Sequence, residues 1–146
     1  MIHPSNPKFL YAVTGRGLYV SPDGGASWEQ WTRREDEIGG YPDGFVFRPS
    51  DPKLILMTAA HDAPGTWRTT HFAGARISRS KDGGRSWEIL RNGLPDRLQA
   101  SIEAFCLEEV GESTAVFAAT TSGDIFCSND LGDSWKNIIS GLPPIS

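Results

Sequence analysis

Two cysteines, three histidines and two methionines in 146 residues leave little material for thiol or metal chemistry. Cys106 and Cys127 stand in no metal-ligand spacing and have no neighbouring histidine, so they read as free buried thiols, which suits a reducing, cytoplasmic setting. No apolar run is long enough to cross a bilayer, so the pattern of a helical membrane protein is missing. The first residues, Met1-Ile-His-Pro-Ser-Asn-Pro7, form neither a basic segment nor an apolar leader, and the expectation is a chain that is not exported. Fourteen basic residues are scattered among eighteen acids for a net charge of -4, which argues against nucleic-acid binding because phosphate contacts need clustered Lys and Arg. Helical periodicity is also missing: the longest charged stretch, Arg33 to Glu37, stops short at Gly39-Gly40, so no helix is expected.

What the chain does have is glycine, proline and tryptophan, at 16, 10 and 5 residues, arranged around one turn written three times. The copies are Ser21-Pro-Asp-Gly-Gly-Ala-Ser-Trp28, Ser80-Lys-Asp-Gly-Gly-Arg-Ser-Trp87 and Ser128-Asn-Asp-Leu-Gly-Asp-Ser-Trp135, all fitting S-x-D-x-G-x-x-W. In each, the Ser hydroxyl (Ser21, Ser80, Ser128) and the Asp carboxylate (Asp23, Asp82, Asp130) accept turn N–H groups. The Gly (Gly25, Gly84, Gly132) takes positive φ, and the Trp (Trp28, Trp87, Trp135) anchors the next strand in the core.

The repeat extends beyond the turn. Asn6-Pro-Lys-Phe-Leu-Tyr-Ala-Val-Thr14, Asp51-Pro-Lys-Leu-Ile-Leu-Met-Thr58 and Glu112-Ser-Thr-Ala-Val-Phe-Ala-Ala-Thr120 align as a second strand. Gly17-Leu-Tyr-Val20, Gly74-Ala-Arg-Ile77 and Gly123-Asp-Ile-Phe126 align as a third. A short outer strand follows each Trp, and two innermost strands are visible, Gly44-Phe-Val-Phe-Arg48 and Ile102-Glu-Ala-Phe-Cys-Leu107. The expected units are 1–40, lacking its innermost strand, 41–95 and 96–146, both complete. Cys106 then lies two strands from Cys127, about 9 to 10 Å away, beyond disulfide reach.

The three turns resemble the Asp-boxes, or BNR repeats, of sialidases, sortilin-type receptors, xyloglucan-cleaving hydrolases and a photosystem II assembly factor family. That resemblance implies an all-β fold, a partial β-propeller of about three four-stranded antiparallel blades. It also implies that the turns lie on the rim of one face, here called lower, with structural acids Asp23, Asp82 and Asp130. Three blades do not close a ring, so either the chain is the C-terminal part of a longer propeller or copies of it associate to close one.

On the opposite, upper face lie the loops joining second to third strands and outer to next innermost strands. Two segments there stand out. One is Arg33-Arg-Glu-Asp-Glu-Ile-Gly-Gly-Tyr-Pro-Asp43. The other is Ala60-His-Asp-Ala-Pro-Gly-Thr-Trp-Arg-Thr-Thr-His-Phe72, about ten residues longer than its counterpart Thr120-Thr-Ser-Gly123. This insertion lengthens the Trp28-to-Trp87 interval to 59 residues, against 48 from Trp87 to Trp135. It offers a ligand surface: stacking from Trp67, charge from Arg68, hydrogen bonding or proton transfer from His61, Asp62 and His71. The competing reading is a loop that covers the neighbouring blade with its Trp in a groove. His61, Asp62 and His71 match no metal-ligand motif, and no cofactor is expected.

A glycosidase needs two facing carboxylates. Asp36, Asp43, Asp62, Asp96 and Glu103 fall on the upper face, with no motif to single out a pair. The arginine motif of sialidases, Phe/Tyr-Arg-Ile-Pro, is not matched by Phe47-Arg-Pro-Ser50, although Arg48 closes an inner strand and could face the central channel. No residue is therefore assigned as catalytic. The leading expectation is a binding or scaffold module for a protein or glycan ligand. The alternative is a piece of a glycoside hydrolase, exo-sialidase or xyloglucanase-like, whose active site is shared with blades outside the chain.

Overall fold

The computed structural model describes residues 1–145. It contains three four-stranded antiparallel sheets. The first joins β1 (Ile2–His3), β2 (Asn6–Thr14), β3 (Gly17–Ser21) and β4 (Glu29–Gln30). The second joins β5 (Tyr41–Arg48), β6 (Asp51–Ala60), β7 (Arg76–Ser80) and β8 (Glu88–Ile89). The third joins β9 (Ile102–Val110), β10 (Ser113–Thr120), β11 (Ile125–Ser128) and β12 (Lys136–Ile139). The sheets stand in a row, the first against the second and the second against the third.

Two expectations are corrected here. The first sheet does not lack its innermost strand: the two-residue β1 fills that place, tied by the Met1 carbonyl accepting from the Tyr11 amide at 2.8 Å. A run of two residues broken by Pro4 carries no periodicity to read. Nor is the chain without a helix, since the insertion forms α1 (Pro64–Thr70). Pro64 opens it, where its fixed φ and missing N–H fit a first turn. His71 ends it in the left-handed region at φ 56°. Seven residues with a glycine and three threonines, none of them buried, have no apolar face, so no helical period was there to find.

Packing follows strand alternation. In β6 every residue from Leu54 to Ala60 is buried, because both faces of the middle sheet are covered. Leu54 and Leu56 join Val116, Phe126 and Trp135 in a core toward the third sheet; Ile55 and Met57 join Tyr11, Leu18 and Val20 in a core toward the first. Each such side chain contributes about 1.5 to 3 kcal/mol by leaving water. The outer faces of the end sheets have no such cover: β10 buries Val116 and Ala118 but leaves Ala115, Phe117 and Ala119 partly exposed.

The repeated turns form as expected. Ser80 Oγ accepts from Gly84 N at 2.8 Å, and Asp82 accepts from Ser86 N at 2.9 Å. The other copies repeat this with Ser21 to Gly25, Asp23 to Ser27, Ser128 to Gly132 and Asp130 to Ser134. Gly25, Gly84 and Gly132 hold φ of 97°, 96° and 97°. The preceding position is also left-handed, at Gly24, Gly83 and Leu131. For Leu131 that conformation costs about 1 to 2 kcal/mol.

The tryptophans do not share one environment. Trp135 is 3% exposed, Trp87 is half-buried and Trp28 is 46% exposed, so Trp28 does not anchor in a core as expected. Trp135 packs among residues of the preceding sheet, and Trp28 has no preceding sheet. The cysteines are likewise not buried: Cys106 is exposed and Cys127 half-buried. Both pair across β10 with Phe117, one from β9 and one from β11, and both are free thiols.

Candidate functional site

The insertion is held at its base by the outer-to-inner loop that precedes β9. Ala75 and Leu98 exchange hydrogen bonds of 3.0 and 2.9 Å, and the Ala73 amide donates to the Gln99 carbonyl at 2.7 Å. The short loop of the third sheet is fixed to the same segment by the Thr121 amide donating to the Ser101 carbonyl at 2.9 Å. Between these three segments lies a groove of about 630 Å³. Trp67, Arg68 and His71 line one side, Gln99 and Ala100 the base, and Thr121, Ser122 and Asp124 the other side, with Leu98 and Phe126 supplying apolar surface.

Three of the five residues expected to bind a ligand therefore meet in one place. The Arg68 guanidinium lies 5.5 Å from the Trp67 ring centroid, a cation–π pair that fixes both. The Trp67 indole N–H is buried and finds no acceptor among the described residues. Gln99 donates to the His71 carbonyl at 3.3 Å. Across the groove Asp124 accepts from the Ser122 hydroxyl at 2.7 Å, and hydrogen bonding led by Ser122 holds its carboxyl below the usual range.

His61 and Asp62 do not line the groove. Asp62 accepts from Arg34 at 2.5 Å, tying the insertion to the loop between the first two sheets. His61 Nδ1 lies 3.4 Å from Arg97 Nη1. Among the described residues no three His, Cys, Asp or Glu side chains gather as metal ligands.

The other acids are mostly engaged. Asp36 accepts from the Arg33 amide at 2.7 Å, and Asp96 is bound by Arg76 and Arg91. The Arg48 guanidinium pairs with Glu109 at 2.7 Å, joining the inner strands β5 and β9. Asp43 and Glu103 differ, standing on neighbouring inner strands. Burial, with the like charge of Glu103 added, raises the Asp43 carboxyl to about 6. Asp43 stands in a bulge: pairing of β5 with β6 slips between Pro42 and Phe45, and the Gly44 amide donates to Thr58 Oγ1 at 2.8 Å. A Cβ on Gly44 would stand 2.9 Å from that of Phe105, so only glycine lets β9 approach there.

Sequence reasoning missed Ser27, Ser86 and Ser134, which donate their hydroxyls to the turn carboxylates at 2.6, 2.6 and 2.5 Å. The signal was present, since all three copies carry Ser one residue before the Trp. It also missed Gln99 and Ser122, which no repeat marks.

This geometry is that of a β-propeller segment: three blades in a row, with concave ground on the upper face. No protein-family model matches the chain, and no curated protein sequence matches it. Its fold does match solved structures. The crystal structure of an ancestral GH74 enzyme, a β-propeller glycoside hydrolase, superposes with a TM-score of 0.71 at 17% identity, over 97% of this chain and 18% of that one. The structure of YCF48 bound to D1 peptide, also a β-propeller, superposes with a TM-score of 0.59 at 19% identity, over 93% of this chain and 37% of that one. The chain thus spans about a fifth and about a third of the lengths of these two proteins.

Proposed function

We propose that the chain is part of a BNR/Asp-box propeller and acts as a binding module, with a protein or glycan ligand seated in the groove between the insertion and the third blade. The observation that carries this reading is the convergence of Trp67, Arg68 and His71 with Gln99, Ser122 and Asp124 around one concavity. An aromatic flanked by donors and acceptors suits an amphipathic ligand, and the unpaired Trp67 N–H favours one that brings an oxygen acceptor. YCF48, solved with a peptide, supports a protein partner by analogy of fold. The test is a peptide and glycan array probed with the chain and with a W67A/R68A variant. Loss of the captured ligand at unchanged melting temperature supports the groove, and undiminished capture by the variant rejects it.

A second reading, part of a glycoside hydrolase, is favoured by the Asp43–Glu103 pair: one raised carboxyl beside another carboxylate is the acid–base contrast such chemistry uses. Turnover of aryl glycosides by a ring-complete protein, abolished by Asp43→Asn, would favour it over the binding module.

Completion of the ring belongs to the same proposal. The strand β10 is as apolar as β6, yet one of its faces is open, and Trp28, Ile138 and Ile139 are exposed at the two ends of the row. Further blades of a longer chain, or a second copy, would cover these faces by continuing the blade-on-blade packing already present. Sedimentation equilibrium separates the two: association in the micromolar range supports a second copy, and a stable monomer supports further blades.

A further inference from the structure

We infer that a recess on the lower face, between the first and second blades, binds a quaternary ammonium group, and that Arg85 is a resident cation which such a ligand displaces. The site is independent of the groove between the second and third blades.

The recess measures about 160 Å³. His3, Phe9, Tyr11 and Trp31 of the first blade wall it on one side, and Asp82 and Arg85 of the second blade's repeated turn on the other. The rings stand steeply to one another: Phe9 to Tyr11 at 58°, Phe9 to Trp31 at 62° and Tyr11 to Trp31 at 89°. Their centroids lie 5.3, 6.0 and 6.4 Å apart. One cation can therefore stand within about 6 Å of all three, the range in which a ring face attracts it. The walls are fixed, with Trp31 Nε1 donating to Glu29 at 3.0 Å and the Tyr11 phenol to the Gly83 carbonyl at 2.9 Å. A cation already occupies this ground: the Arg85 guanidinium lies 4.9 Å from the Trp31 ring centroid.

The next seam shows how the same place is used elsewhere in the chain. Arg79 on β7 pairs with Leu56 as Val20 on β3 pairs with Tyr11. Its guanidinium reaches Glu88 at 2.7 Å, the Leu131 carbonyl at 2.9 Å and Asp133 at 2.7 Å. In the first seam Val20 supplies no cation, and all three acceptors have changed. Glu29, in the place of Glu88, accepts from Trp31, and Gly83, in the place of Leu131, accepts from Tyr11. Arg85 stands at the turn position of Asp133. Ring faces have replaced hydrogen-bond acceptors. The Asp82 carboxylate adds negative charge, but its oxygens accept from the Ser80 and Ser86 hydroxyls at 2.8 and 2.6 Å.

That exchange selects the ligand. A guanidinium or primary ammonium that entered fully would bring N–H donors to acceptors already engaged, which is costly once water is excluded. A quaternary ammonium carries the same charge with no N–H to satisfy, and its methyl groups meet the rings. Arg85 can make way. It is exposed, and it also lines a neighbouring depression of about 210 Å³ beside Glu29 and Gln30. While it stays, it lowers the apparent affinity by the fraction of molecules whose rings are covered.

The test is a titration with choline followed by NMR at the indole N–H signals, that of Trp31 assigned by its loss in Trp31→Phe. Saturable shifts at Trp31 are expected with choline and none with dimethylbutanol, its uncharged carbon isostere. Arg85→Ala should bind choline about tenfold tighter at unchanged melting temperature, because the competitor is removed from an exposed position. Adding Phe9→Leu, which keeps apolar bulk without a ring, should weaken that binding about fivefold or more. Equal response to dimethylbutanol overturns the inference, since the recess would then be apolar only. So does guanidinium ion binding as tightly as choline, or an Arg85→Ala variant that binds choline no tighter than the parent. Shifts confined to the Trp67 indole also overturn it while leaving the groove reading intact. Glycerophosphocholine and acetylated, amidated trimethyllysine then separate a lipid headgroup from a methylated side chain: tighter binding of either one supports the site and names its source, and failure of both to compete with choline overturns it.

Discussion

The phenol of Tyr11 on β2 donates to the carbonyl of Gly83 at 2.9 Å, across 72 residues. It thereby joins the second strand of one blade to the repeated turn of the next. Arg79 on β7 does the same one blade on, donating to the Leu131 carbonyl at 2.9 Å. Gly83 and Leu131 are the same turn position, so in the second and third turns the first of the two left-handed residues presents its carbonyl to the blade before it.

Tyr11→Phe keeps the ring packing with Phe45 and Phe47 and removes only this bond. A loss of about 1 kcal/mol is expected, read as a lower urea midpoint at unchanged slope.

Arg79 is 6% exposed and also binds Glu88 and Asp133 at 2.7 Å each. Arg79→Met preserves the buried stem but leaves the Leu131 carbonyl without its donor. Since Glu88 and Asp133 reach water, the expected cost is about 2 kcal/mol, below that of a fully buried pair. Hydrogen exchange should accelerate at the third turn and stay unchanged at the first.

Trp135→Ala should cost about 3 to 5 kcal/mol by opening a cavity in the core between the second and third blades. Trp28→Ala, at a 46% exposed site, should cost under about 1 kcal/mol. Equal losses in chemical denaturation would contradict the packing described for the end blade.

The turn acids and Asp43 predict opposite pH limbs. Hydrogen bonds led by Ser27, Ser86 and Ser134 hold Asp23, Asp82 and Asp130 at about 2. Folded values below the unfolded one give a contribution present above about pH 4 and lost as pH falls toward 2. Asp43, raised to about 6, contributes stability below about pH 4 that disappears as pH rises through 6. Thermal melts from pH 2 to 8 should therefore show a flatter acid limb for Asp82→Asn and a smaller decline between pH 4 and 7 for Asp43→Asn.

Much of the fold could be read because it is local. Each turn closes within eight residues, so Ser21, Asp23 and Gly25 announce their bonds in the sequence itself. Strand order followed from spacing, and it placed Cys106 and Cys127 two strands apart on either side of Phe117. The site was legible only in part. Trp67, Arg68 and His71 drew attention as an insertion rich in functional groups, but their partners Gln99, Ser122 and Asp124 come from ordinary loops 28 to 57 residues further on. Asp62 and His61, adjacent in sequence to the same helix, turn to Arg34 and Arg97 instead. Nothing in a linear pattern separates those two outcomes.

By itself the sequence determined the number of blades, the turn chemistry and the face on which loops are long, because hydrogen bonds within eight residues and alternation along a strand depend only on neighbours. Tertiary structure alone decided that one repeated tryptophan is core and another is surface, and that Arg48 belongs to Glu109. It also decided that Asp43 and Glu103 stand together on adjacent inner strands. Those outcomes depend on which blade lies alongside, and a repeat that writes the same eight residues three times carries no record of its neighbours.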